Sequence, residues 1–150
     1  TLVSPPYTPK PAVRIHELPE GENDLGFKVE VFKMRHAYEN HGFRVFLEDK
    51  IVSYSGDTGI CENSKTLAQD ADILIHECSY IKAPEPETWG HVDPIQAATL
   101  AKEANVKKLV LTHFDASQYT NLEKRKWAEQ EAKKIFPNTL AATDGLTIEL

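Results

Sequence analysis

The stretch Gly90–His113, GHVDPIQAATLAKEANVKKLVLTH, reads as a capped helix that hands over to an apolar strand. Asp93 supplies a side-chain acceptor at the N-cap, Pro94 suits the first helical position, and Gln96 stands where it can reach back to the cap. Ile95, Ala98, Leu100, Ala101 and Ala104 supply the apolar positions of that helix. KKLVLTH then runs as a buried strand and ends on His113.

Working outward, ADILIHE (Ala71–Glu77) is a continuous apolar run of the kind found in strands covered on both faces. A short helix over Ser64–Asp70 precedes it. Downstream, Thr120-Asn121-Leu122-Glu123 is a second capping box, opening a helix that runs to about Phe136 and stops at Pro137-Asn138. TLAAT and LTIEL close the chain as two strands around Asp144-Gly145. The first half reads differently. AVRIHEL (Ala12–Leu18) is a short strand, Pro19–Leu25 a polar turn, and FKVEVFKM a half-buried strand with Phe27, Val29 and Val31 on one face. HGFRVFLEDKIVSYS folds back on itself, with Phe43, Val45 and Leu47 alternating, a turn at Glu48-Asp49-Lys50, and Ile51–Ser55 returning. Hairpins first, then alternating helices and strands, predict an α+β fold: one sheet with helices on one face, and an opposite face that something must cover.

At 150 residues the chain is long enough for one domain with a real core. The net charge of −6 leaves no electrostatic footprint for nucleic acid, although a local patch stays open. No apolar run approaches the ~20 residues of a membrane helix, so no membrane partner is expected. The two cysteines, Cys61 and Cys78, make no disulfide framework and fit free thiols in a reducing cytoplasm. Pro5, Pro6, Pro9 and Pro11 mark residues 1–13 as a linker or extended N-terminal segment, with the domain over 14–150.

Five places put a polar residue at the end of an apolar strand or in the loop beyond it: His36, Asp57, His76-Glu77, His91 and His113. Strand-end loops are where a rigid scaffold presents functional side chains. Histidine with aspartate suits a divalent metal such as zinc, manganese or iron. Each has an ordinary reading when taken alone. Single histidines after strands are usually satisfied or exposed, Asp57 between glycines fits a turn, Glu77 fits a solvated edge, and Cys78 fits a buried thiol. His16 and His41 keep that ordinary reading.

Four ordered motifs change the weighing. RHAYENHGFRV, IVSYSGDTG, ADILIHECSY and GHVDPIQAATLAKEANVKKLVLTHFDASQY together resemble the metallo-β-lactamase superfamily, and within it the ribonuclease Z-like hydrolases. The similarity runs from about Ile15 to Leu150, and the last motif is the most specific. The resemblance implies a four-layer αββα sandwich, of which this chain is the C-terminal sheet-plus-helices half. It implies His36 as a ligand of one metal, His113 as a ligand of the other, and Asp57 bridging two ions, with two zinc expected and manganese or iron as substitutes. His91 takes the place of the family's catalytic histidine, with Glu77 orienting it. The family's His-x-His-x-Asp-His motif is absent from these 150 residues. The implied partner is therefore an N-terminal half carrying that motif, in the same or a separate chain, with a homodimer as the other way to cover the bare face. The implied activity is phosphodiester hydrolysis, by a tRNA 3′-processing endonuclease or a related phosphodiesterase. The short segment from His36 to Asp57 and the acidic charge leave RNA and a small phosphodiester equally open as substrate. The rival reading is a non-catalytic half-fold acting as an association module.

Overall fold

The computed structural model describes residues 15–149. One seven-stranded sheet runs in chain order, with β1 (Gly21–Asp24), β2 (Lys28–Lys33), β3 (His41–Leu47), β4 (Lys50–Tyr54), β5 (Ile73–Glu77), β6 (Lys108–Thr112) and β7 (Thr139–Ala141) each beside the next. The β1–β4 pairs are antiparallel, whereas β4, β5, β6 and β7 pair in parallel. Parallel neighbours need a crossover, and a helix provides each one: α1 (Glu62–Ala68), α2 (Pro94–Glu103) and α3 (Leu122–Lys133). Two antiparallel steps separate β2 from β4, so β2, β4, β5, β6 and β7 all point the same way. Their C-terminal ends share one edge of the sheet.

All three helices lie against one face. Leu67 and Ala68 of α1, Ala97, Ala98, Leu100 and Ala101 of α2, and Ala128 and Ala132 of α3 form one core with Leu74, Leu109 and Leu111 of the sheet. Alanine dominates the helix side, which lets the helices approach the larger strand side chains closely. The opposite face carries two cross-strand rows set by the register. Val29, Val45, Val52 and Ile73 align in one, and Val31, Phe43, Tyr54, Ile75, Val110 and Leu140 in the other. Both rows are apolar along their length; Val29, Val31, Ile73 and Val110 are buried, whereas Tyr54 is 44% exposed. This is the α+β sheet-plus-helices layer expected from the sequence.

The strong local signals hold. Asp93 accepts from the Gln96 amide at 2.9 Å and Gln96 returns a bond to the Asp93 amide at 3.1 Å, closing the box on α2. Glu48 and Asp49 turn the β3–β4 hairpin, with Glu48 at φ 53°. Ser64 lies inside α1, which begins earlier, at Glu62 behind an N-cap at Cys61, because the Ser64 hydroxyl accepts from the Cys61 amide at 2.9 Å. Asn121, not Thr120, caps α3, its side chain accepting from Lys124. The weak signals fail. Ile15–Leu18 is not a strand, and the rest of that expected strand and the 1–13 segment lie outside the described residues. The first strand is instead Gly21–Asp24, inside the expected turn, where only backbone pairing to Lys28–Val31 is needed at a sheet edge. Residues 146–149 of LTIEL form no strand, and Leu150 is outside the described residues. Phe27 precedes β2 and is 44% exposed, so only Val29 and Val31 of that trio are buried.

His76 on β5 is fully buried among the helices' contacts, with Nδ1 2.9 Å from the Glu77 carbonyl and Nε2 without a partner. Burial lowers its pKa to about 4 from the ordinary 6.5. The folded state therefore holds His76 neutral while the unfolded chain takes up a proton below pH 6.5, and stability falls as pH falls between those values. Urea unfolding at pH 7 and pH 4 should show a loss of up to about 3 kcal/mol from this group. His76→Leu should remove that part of the pH dependence, and an unchanged dependence in the variant would rule His76 out as its source.

Candidate active site

The loops at the common strand edge bring the predicted residues together. His36 lies three residues beyond β2, Asp57 three beyond β4, Glu77 ends β5, and His113 follows β6 directly. His91 comes from the long β5–α2 loop, two residues before the Asp93 cap. The His91 ring centroid lies 5.0 Å from that of His36 and 5.8 Å from that of His113. Asp57 Oδ1 lies 3.3 Å from His113 Nδ1. His41 lines a cleft with His36 and Asp57, its ring 3.9 Å from Glu20.

Glu77 is the buried centre of the arrangement. Its Oε1 accepts from the amides of Thr58 at 3.3 Å and Val92 at 3.1 Å, and its Oε2 from the Ser79 amide at 2.7 Å. The same Oε1 lies 3.0 Å from His91 Nδ1. Burial raises the Glu77 carboxyl to about 8, while the three backbone N–H groups act to lower it. Both oxygens are already occupied by N–H donors, so the geometry places the shared proton on His91 Nδ1 and leaves Nε2 for the cleft. Burial, and then the neighbouring His36, lower the pKa of His91 itself.

The turn that presents Asp57 is built for close approach. Gly56 has φ +59°, and a Cβ there would fall 2.6 Å from the His41 carbonyl oxygen, next to Asn40, whose side-chain amide donates to the Asp57 carbonyl at 2.8 Å. His113 takes a left-handed φ of 50°, costly for a non-glycine residue and concentrated where function fixes a side chain. Ser79, which no sequence pattern singled out, holds it: its Oγ is 2.9 Å from His113 Nδ1 and donates to the His113 carbonyl at 3.1 Å. A cleft of about 460 Å³ opens between Tyr80, Trp89, His91 and His113.

The donor set fits a divalent metal. Asp57 and His113 stand side by side, and Ser79 on His113 Nδ1 is the outer hydrogen bond that leaves Nε2 for a ligand. His36 Nδ1 lies 3.2 Å from both the carbonyl and the amide nitrogen of Tyr38, contacts that orient the ring. Glu77, His91 and His113 also offer atoms within 4.8 Å of one another. Glu77 is the poorer ligand of these, since its lone pairs already serve buried amides.

Comparison with known proteins gives the family. The beta-lactamase superfamily domain model matches residues 2–114. This chain belongs to the metallo-β-lactamase superfamily. Among its relatives, ribonuclease Z of Ligilactobacillus salivarius is 44% identical over 97 residues, covering 63% of this chain and 30% of that protein. Ribonuclease Z of Gemmatimonas aurantiaca is 42% identical over 101 residues, covering 66% and 31% respectively. The matched region thus spans about 30% of the length of these curated relatives. Of solved structures, the metallo-beta-lactamase fold protein YhfI from Bacillus subtilis superposes with TM-score 0.77 at 25% identity, over 90% of this chain and 55% of that one. Human tRNase Z, short form, superposes with TM-score 0.62 at 26% identity, over 85% and 44%. The superfamily member is ribonuclease Z-like, and no helix among the described residues is long and apolar enough to cross a membrane.

Glu77→Ala should strip acceptors from three backbone amides and from His91, and cost about 3–5 kcal/mol in chemical denaturation. A loss below about 1 kcal/mol would mean that these donors find other partners.

Proposed function

We propose that this chain is the C-terminal half of a metal-dependent phosphodiester hydrolase, ribonuclease Z-like in its site. The observation that carries the reading is the convergence of His36, Asp57, His91 and His113 on one sheet edge, in a chain 44% identical to a ribonuclease Z over 97 residues. In this proposal residues 14–150 are the half-domain and 1–13 a linker. His36, Asp57 and His113 would hold the metal, two zinc ions in the complete centre with manganese or iron as substitutes, and Asp57 is the shared ligand. When bound, the metal polarises a phosphoryl oxygen and makes water a nucleophile near neutral pH.

The chain's own residues supply the proton. Glu77 keeps His91 Nδ1–H in place, so Nε2 faces the cleft and is the atom that gives a proton to the departing oxygen. Burial disfavours the charged imidazole, and an anionic diester beside Nε2 offsets that cost. Acting together, the two carboxylates divide the work. Asp57, at the open edge, meets the metal, and Glu77, buried, orients the acid.

The substrate is RNA, such as a tRNA precursor, or a small phosphodiester, and the site of action is the cytoplasm. The apolar rows on the helix-free face favour a covering partner. That partner is an N-terminal half with His-x-His-x-Asp-His, in the same or a separate chain, or a second copy of this chain. The same face supports a second reading as an association module without catalysis, and the assay below decides between them.

In the encoded protein, Asp57→Ala should lose zinc and hydrolysis together, measured by metal analysis and by cleavage of a tRNA precursor and of a chromogenic phosphodiester. His91→Ala should keep its metal and lose roughly 10²-fold or more in turnover. Loss of metal with His91→Ala would instead make it a ligand. A wild-type protein that binds no zinc and cleaves neither substrate would move the chain to the association module.

A further inference from the structure

Arg35 touches three of the segments that carry the site, those of His36, Asp57 and His91. It precedes His36 in the loop after β2, and its carbonyl accepts from the Gly59 amide at 2.9 Å, closing the turn that bears Asp57. Its guanidinium lies flat against that same turn: a Cβ at Gly59 would come within 2.5 Å of Arg35 Cζ. The guanidinium then reaches Glu87 Oε2 at 2.7 Å. Glu87 Oε1 accepts from the amides of Trp89 and Gly90, each at 2.8 Å, so it folds the strap that delivers His91. The strap returns the link through the Trp89 carbonyl, which accepts from the Ala37 amide at 2.7 Å. Gly90 sits at φ +91°, and a Cβ there would fall 2.5 Å from the His36 Cα, so the strap presses directly on the His36 backbone.

An ion pair between two exposed side chains contributes little. Here Glu87 is only 10% exposed and its other oxygen is already committed to two amides, so Arg35 meets a fixed acceptor rather than a mobile one. None of the groups it joins is replaceable by solvent without moving a site segment.

We propose that Arg35 and Glu87 are positioning residues that set the spacing of His36, Asp57 and His91, acting through the Asp57 turn and the Glu87–Gly90 strap without touching substrate or metal. This inference rests on the hydrolase reading for its kinetic test, but its metal-binding test stands apart from it. Outer partners of metal ligands commonly change metal affinity by about 10–100-fold, and small displacements of a reacting group lower turnover steeply.

The test uses the encoded protein with Arg35→Met, Arg35→Lys and Glu87→Gln, each assayed well below its melting temperature. Zinc affinity is read by competition with a chromogenic chelator, and kcat and KM on a chromogenic phosphodiester. Arg35→Met should bind zinc about 10-fold more weakly and lose about 10-fold in kcat with KM within about twofold. Arg35→Lys, which keeps the charge, should recover part of both losses. Glu87→Gln, which keeps the acceptor for Trp89 and Gly90, should fall between them. If only the melting temperature drops, while zinc affinity and kcat stay at wild-type values, the role is structural and the proposal fails. If the wild-type protein cleaves no diester, weaker zinc binding in Arg35→Met still upholds the positioning role, and unchanged zinc binding overturns it.

Discussion

Much of the site depends on one buried carboxylate. Glu77 ends the interior strand β5 and is 1% exposed, which would be untenable for an acid without partners. Its partners are the amides of Thr58, Ser79 and Val92 and the ring of His91. Those residues come from the loops after β4 and β5 and from the strap before α2. Satisfying one side chain therefore fixes the Asp57 turn, the Ser79 position and the His91 tautomer together. Because each unmade bond would strand a buried donor, the two loops share a single geometry.

The second constraint is directional. Parallel pairing from β4 to β7 forces a helical crossover after each strand, and every crossover leaves from the same edge. The antiparallel excursion through β3 returns β4 to the direction of β2, which adds His36 to that edge. Loops at this edge are free to hold polar groups because the sheet beneath them is rigid. With all three helices on one face, the other face is left with its rows of valine, isoleucine, phenylalanine and leucine.

Among the non-glycine residues with positive φ, His113 stands at this edge and Glu48, Asp70 and Asn105 at the other. His113 holds a left-handed backbone that glycine would adopt more easily, and Gly56 and Gly90 hold positive φ where a side chain would strike the His41 carbonyl or the chain at His36. Ser79 offsets the His113 conformation with a bond to its ring and another to its carbonyl. The stability given up at these positions places the imidazoles beside one another.

Local chemistry alone determined the elements with strong signals. Asp93, Pro94 and Gln96 start α2 wherever that segment stands, since the cap bonds lie within four residues. The apolar runs ILIHE and KLVLT are strands because little else buries such sequences, and the ordered histidine and aspartate motifs marked the candidate site. The tertiary structure decided what depends on distant partners. Gly21–Asp24 is a strand only because β2 offers an open edge, and GEND has no alternation to announce it. Ser79 and Arg35 carry no spacing signal, because their importance lies in His113, 34 residues on, and in Glu87, 52 residues on. Whether Glu77 would be solvated or buried was likewise open in the sequence. Burial depends on how α2 and its strap close over the end of β5, and that is a property of the packed fold.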